Sequence, residues 1–472
     1  MKSEPRDQNR GDRGESLGPR NGEDTQGSPG VKDSVSSSEP TPVLGSSEAV
    51  TPESKAGYFR WVICALLLVG VTKNYIDRLI IGLLKTTLQH DLGWSEIDYG
   101  NLVLAFTAAY AVGMVAVGRF IDWVGTRLGY ALAMAGWSLA SMAHGVVSSF
   151  GGFLAARGAL GFTEAGVFPA SLKAVAEWFP RKERALAAGI FNAGTNVGAI
   201  VAPLVVPWIT LRWGWRWTFL SLGSLGFAWL ALWIWVYRSP ERHPYCSARE
   251  LEYIRADPPE PQGKTSWIEL MGYRQTWAFI LGKFITDPIW WFYLFWVPDF
   301  LQREHGLQLL QIGIPIVCIY MLADAGSVAG GWISSSLIRR GRSVNAGRKI
   351  AMLISAVSAV PIVFAPRVAS TWGVVLLLGL ATAAHQGFSA NLLTLPSDMF
   401  PRRAVASVVG IGGMAGATGG MLIAKVVSYL LQKTGGYAIP FAIAGSAYLL
   451  AIAVVHAFVP TLAVVEPSTR AA

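Results

Sequence analysis

The sequence predicts an all-α polytopic membrane protein of twelve transmembrane helices in two six-helix pseudo-repeats, and three observations predict it. Apolar runs long enough to cross about 30 Å of hydrocarbon as helix recur from Tyr58 onward. Lys and Arg are abundant in alternate loops and sparse in the others. Short segments of the first half recur in the second at a constant register.

The composition agrees. Of 472 residues, 52% are hydrophobic and 15% charged, against about 25% charged in a soluble domain, so lipid is the implied solvent. The formal net charge of +9 resides in short loops between apolar stretches. No basic face interleaved with aromatics accompanies it, so a lipid bilayer, and not nucleic acid, is the expected partner. Cys64, Cys246 and Cys318 lie far apart, and the six histidines form no HExxH pattern. Neither a disulfide framework, a metal site nor a cofactor is expected. No nucleophile–base pair suggests an enzyme.

The apolar runs fall near 58–84, 99–118, 128–147, 151–177, 185–208, 216–236, 277–300, 311–336, 347–365, 370–396, 404–430 and 437–459. Residues 1–56 are rich in Gly, Ser, Pro and mixed charge and cannot bury enough apolar surface to order themselves, which reads as a disordered tail. This tail has no apolar core of a signal peptide. The division is then a tail at 1–56, a six-helix half at 57–236, a polar central loop at 237–275, a second half at 276–460 and a short tail at 461–472. The even-to-odd loops with their flanks carry 18 Lys and Arg, the opposite loops 6. That bias places both termini in the cytoplasm of a cell whose inner membrane the chain spans.

The repeat is visible at Glu177-Trp-Phe-Pro-Arg-Lys, which returns as Asp398-Met-Phe-Pro-Arg-Arg, 221 residues on. The register holds at Gly189 and Gly410, Ile190 and Ile411, and Gly198 and Gly419. Parallel repeats of six helices characterise transporters whose substrate site lies at the midplane between halves.

Charge inside a spanning helix costs roughly 2.5–3.5 kcal/mol and requires a reason. Helix 1 carries Lys73, Asp77 and Arg78. Lys73 and Asp77 can pair at i,i+4, whereas Arg78 sits about 100° away from Asp77. Helix 4 carries Arg157 and Glu164 on one face, helix 7 carries Lys283 and Asp287, and helix 8 carries Asp324. Lys283–Asp287 and Asp324 suit internal ion pairs as well as function. For Asp77, Arg78 and Glu164 the functional reading prevails. An arginine fork in a wet cavity matches a carboxylate, and a desolvated carboxylate beside it can carry a proton. Together they suit an organic anion and a proton.

Several stretches resemble a known family. Gly118-Arg-Phe-Ile-Asp122-Trp-Val-Gly125-Thr-Arg127 resembles the G-x-x-x-D-x-x-G-x-R loop of the major facilitator superfamily. Arg157-Gly-Ala-Leu-Gly161-Phe-Thr-Glu164-Ala-Gly-Val-Phe-Pro169 and Asn74-Tyr-Ile-Asp77-Arg78 resemble its anion:cation symporter family. The segments 173–180, 287–296 and 385–391 are similar to the hexuronate (glucuronate/galacturonate) permease branch.

The resemblance implies the major facilitator fold and proton-coupled symport of a sugar acid by a monomer working through alternating access. It assigns the substrate carboxylate to Arg78 and proton sites to Asp77 and Glu164, with Arg157 modulating Glu164. It also places Tyr75 and Tyr110 in the cavity wall, and sugar hydroxyls on Asn192, Thr195, Asn196, His385 and Asn391. Polar residues in membrane helices also serve as interhelical glue. Trp291, within Trp290-Trp-Phe-Tyr293, suits either a pyranose face or the interfacial belt. Gly118, Asp122, Gly125 and Arg127 are expected to form a gate. Ser335 replaces an aspartate common in the second-half counterpart, so the stronger charge relay is expected in the first half. The glycines from Gly410 to Gly420 lie in an apolar helix with no preceding strand, which favours helix packing over a nucleotide loop. An aldonate, tartrate or aromatic acid remains an alternative cargo, and a non-transporting sensor an alternative class.

Overall fold

The structure is a computed structural model that describes residues 57–256 and 267–465. The expected tail at 1–56, the middle of the central loop and the last seven residues lie outside the described residues. Among the described residues, twelve spans build the fold. The first half is α1 (Phe59–Leu83), α2 (Glu96–Val124), α3 (Thr126–Val146), α4a (Phe150–Glu164) with α4b (Val167–Trp178), α5 (Arg181–Trp213) and α6 (Trp215–Val236). The second is α7 (Arg274–His305), α8 (Gly313–Arg339), α9 (Val344–Ala359, extended by a 3-10 turn to Arg367), α10a (Thr371–Leu392) with α10b (Leu395–Met399), α11 (Arg402–Thr434) and α12 (Ala438–Phe458).

Eight of these are long and apolar enough to span on their own, and α2 makes a ninth when its bend is allowed. Two of the rest are where chemistry displaces apolarity: α4 is broken after Glu164, and α7 carries Lys283, Asp287 and Asp299. Large apolar side chains such as Trp235, Val328, Trp332, Leu376 and Leu450 stand exposed. On a soluble protein such a surface would aggregate, but facing lipid it is the expected exterior.

Local chemistry sets the helix ends. Ser95, Ser149, Ser343 and Ser370 cap α2, α4a, α9 and α10a by accepting an N–H of the first turn, and Ser95 forms a full capping box with Asp98. Gly125 joins α2 to α3 at φ 86°, a left-handed conformation that explains glycine at this place in the loop motif.

The central segment is more ordered than a plain loop. Ala248–Arg255 forms a helix whose buried Glu250 accepts from the backbone N–H groups of Phe59 and Arg60, closing the first turn of α1. At this end of the molecule lie the start of α1, the end of α12 and the central segment. We call it the terminal side, and the opposite end the far side.

The motif turns depart from expectation. In the first half Asp122 pairs with Lys173 at 3.0 Å but is 75% exposed, and Arg127 donates to the Ile234 carbonyl. Glu177 is held by Thr126 and Tyr237. In the second half Arg348 pairs with Asp398 at 3.0 Å, both half-buried, and also binds Ser334. The Arg-to-acid relay across the turn is therefore closed in the second half, contrary to the expectation from Ser335. Position 127 plus 221 is Arg348, and 177 plus 221 is Asp398, so the pair uses motif partners other than the missing aspartate.

Candidate functional site

Close backbone approaches bring the site together. A side chain at Gly198 would strike the Thr72 carbonyl, and one at Gly161 the Phe106 carbonyl, so α5 lies directly on α1 and α4a on α2. In the second half, Gly412, Gly416, Gly419 and Gly420 of α11 pack against Phe279, Asp287, Pro288 and Trp291 of α7. These four glycines therefore serve helix packing, whereas Gly410 and Gly413 face open space.

Between the halves lies a cavity of about 270 Å³, roughly nine waters' share of volume and room for one sugar-sized molecule. The first half contributes Tyr75, Arg78, Tyr110, Phe168, Asn192, Thr195 and Asn196 to its wall. The second half contributes Lys283, Asp287, Trp290, Trp291, His385, Gln386 and Ser389. A larger cleft of about 750 Å³ lies on the terminal side around Arg127, Glu177 and Arg238, away from the intramembrane charges. The smaller cavity holds the chemistry.

Arg78 is buried, and its Nε and Nη2 each lie 3.1 Å from Oε2 of the fully buried Glu164. Tyr110, Tyr75, Phe106 and Trp291 surround the guanidinium at 4.8, 5.0, 5.3 and 5.6 Å from their ring centroids. Its polar neighbours are Glu164, the Asn74 Oδ1 that accepts from Nη2 at 3.5 Å, and the cavity it lines. Glu164 Oε1 has no hydrogen-bond partner. Arg157 is likewise fully buried with no partner for any guanidinium nitrogen, lying 4.5 Å from the Phe106 centroid.

Four expected site residues lie outside the cavity wall, and of these Glu164 reaches it only through Arg78. Asp77 turns away from the cavity and pairs with Lys73 and the Trp137 Nε1–H, as its angular offset from Arg78 requires. Arg157 does not line the cavity. Asn391 donates both amide hydrogens to the carbonyls of Gly330 and Gly387, tying α10a to α8. It is interhelical glue, not a cavity residue. Tyr75, Tyr110, Asn192, Thr195, Asn196, Trp291 and His385 all line the cavity with Arg78.

The sequence reading missed the far-side closure. Buried Lys85 lies 2.7 Å from Asp299 Oδ2 and 2.8 Å from Glu96 Oε2, the latter an ion contact and not an aligned hydrogen bond. Arg303 pairs with Glu96 at 2.6 Å, Tyr437 donates to Asp299, and Tyr99 donates to the Phe295 carbonyl. Among the described residues, the hydrogen bonds and ion pairs that join the two halves lie on this side. The cavity is shut from the far side and faces the terminal side.

Comparison with known proteins agrees with this architecture. Residues 66–348 match the Major Facilitator Superfamily model. The chain is similar to the hexuronate transporter of Escherichia coli (strain K12), 33% identical over 384 residues, covering 80% of this chain and 88% of that protein. It is also similar to the probable galactarate/D-glucarate transporter of the same organism, 29% identical and covering 86% and 96%. A crystal structure of a bacterial homolog of the human lysosomal transporter Spinster, inward-facing and occupied, superposes with a TM-score of 0.66 at 19% identity, covering 86% and 96%. At that identity the likeness concerns the fold.

Proposed function

Because the chain belongs to the major facilitator superfamily, we propose that it carries a hexuronate-type sugar acid together with a proton, inward across the bacterial inner membrane, by alternating access. One observation carries this reading: a buried arginine, boxed by aromatics, lines a cavity between the halves while paired with a carboxylate whose second oxygen has no partner. Arg78 binds the substrate carboxylate in two-pronged fashion. Glu164 releases Arg78 when it takes a proton, because only the ionised carboxylate competes for the guanidinium. Asp77, next to Arg78 on α1, is a second protonatable group, and Arg157 is a buried cation that favours the ionised Glu164. With both termini cytoplasmic, as the loop bias supports, the conformation described here faces the cytoplasm. The Lys85 network is then the outer gate. One chain supplies both walls of the site, so a monomer suffices.

Counterflow of labelled glucuronate into proteoliposomes, competed by a panel of sugar acids, tests the cargo. Exchange driven by glucuronate or galacturonate is expected. Exchange driven only by tartrate or aromatic acids would refute a hexuronate cargo. A reporter fused at residue 472 and active only in the periplasm would overturn the orientation.

A further inference from the structure

The second-half wall of the cavity contains a hydrogen-bonded chain that the transport reading does not use. His385 stacks on Trp290 with ring centroids 5.0 Å apart and planes 14° apart. Its Nδ1 lies 2.8 Å from the hydroxyl of Tyr448, which is fully buried on α12 behind the cavity wall. His385 is the hydrogen-bond partner recorded for that hydroxyl. If Nδ1 carried the proton, the buried Tyr448 hydroxyl hydrogen would have no acceptor, the costly arrangement. Tyr448 therefore donates to Nδ1, and the ring proton resides on Nε2. Nε2 has no protein partner among the described residues, yet it is not among the enclosed unpartnered atoms, unlike Nε2 of His144. It opens into the cavity that His385 lines.

Asp287 lies on the same wall. Its Oδ2 is 2.7 Å from Lys283, four residues back on α7, so the lysine charge is neutralised in place. Its Oδ1 is also neither partnered nor enclosed. This wall thus offers the neutral Nε2–H donor and the Asp287 carboxylate acceptor, beside the Gln386 amide, the Ser389 hydroxyl and the paired Lys283. A sugar acid's hydroxyls can accept from such a donor and donate to such an acceptor. A second carboxylate would meet a cation already paired with Asp287 and would face Asp287 itself.

We propose that this wall reads hydroxyls, so that the carrier selects polyhydroxylated monocarboxylates over dicarboxylic sugar acids, and that Tyr448 is the positioning residue that fixes His385 as the donor. The inference rests on the sugar-acid reading and deepens it. It predicts a selectivity different from the one that names the galactarate/D-glucarate relative.

The test is calorimetric binding to the full chain in lipid nanodiscs, using D-glucuronate, its monodeoxy analogues and D-glucarate. Wild type should bind glucuronate more tightly than glucarate, and at least one monodeoxy analogue should bind about tenfold more weakly. Tyr448→Phe should erase most of that monodeoxy difference while thermal unfolding shows an intact fold. Asp287→Asn should raise glucarate affinity relative to glucuronate. Wild type that binds glucuronate but ranks glucarate and every monodeoxy acid equal to it overturns this proposal alone, whatever the variants do. So does a Tyr448→Phe that weakens all acids by the same factor. Wild type that binds no sugar acid refutes the sugar-acid reading itself, and this proposal with it.

Discussion

The two halves share a frame and differ in what they place on it. In the register of 221 residues, Glu164 of α4a answers to His385 of α10a, and Arg157 to Leu378. The first half thus offers a buried carboxylate engaged with Arg78 and a second arginine with no partner. The second half offers a ring fixed by Tyr448 and a lysine already paired with Asp287. Duplication has kept the turns and glycine contacts that build the fold, while the chemistry has separated. The first wall presents an arginine whose partner carboxylate lies behind it, and the second an imidazole beside an ion pair neutralised within one helix. The contrast reverses at the terminal-side turns, where the Arg348–Asp398 pair of the second half is the more buried.

Opening the far side should have the largest effect on this comparison, because there the halves are tied by charge. Lys85→Ala leaves Asp299 and Glu96 facing each other without their shared cation, and breaking a buried ion pair costs about 3–5 kcal/mol. The far-side-closed state should lose population by about a hundredfold or more. Labelling of a cysteine introduced at Thr195, reached from the far side, should rise accordingly.

Next comes Arg78→Lys, which keeps the charge and loses the fork. Charge-assisted hydrogen bonds contribute about 1.5–3 kcal/mol, so substrate affinity should fall about 10–100-fold in a direct binding assay.

Gly416→Ala should act through the second wall, since its methyl would occupy the place of Asp287 Oδ2. The expected overpacking cost of about 1–3 kcal/mol should show as lower thermal stability and weaker substrate binding. The smallest effects concern the turns. Asp398→Asn should destabilise by about 1–2 kcal/mol, and Asp122→Asn, on an exposed pair, by under about 0.5 kcal/mol. Equal losses at the two turns would contradict the asymmetry described above.

How much of this could be read from the sequence depended on whether a residue broke a pattern. Arg78, Glu164 and Asp77 stood out because charge in an apolar run is costly. The hexad repeat stood out because two Phe-Pro-Arg turns share a register. Asn391 was read as a cavity residue because nothing in sequence tells an amide that faces a cavity from one that binds two backbone carbonyls. Lys85, Glu96 and Asp299 went unread because charges near the ends of apolar runs are ordinary, and only the folded chain brings residues 85 and 299 within 2.7 Å. Tyr448 gave no signal, as a tyrosine in an apolar helix is common. The break after Glu164 was also hidden, although Ala165-Gly166 marks it in retrospect.

The central claim is that Glu164 carries the coupled proton and releases Arg78 when neutral. Glu164→Gln holds that position in its protonated form, and labelled glucuronate counterflow and uptake driven by an imposed pH gradient can be measured on one proteoliposome preparation. The account predicts that counterflow persists while pH-driven accumulation is lost. Intact pH-driven accumulation would move the proton to Asp77, and loss of both activities would make Glu164 a structural partner of Arg78; either result would contradict the claim.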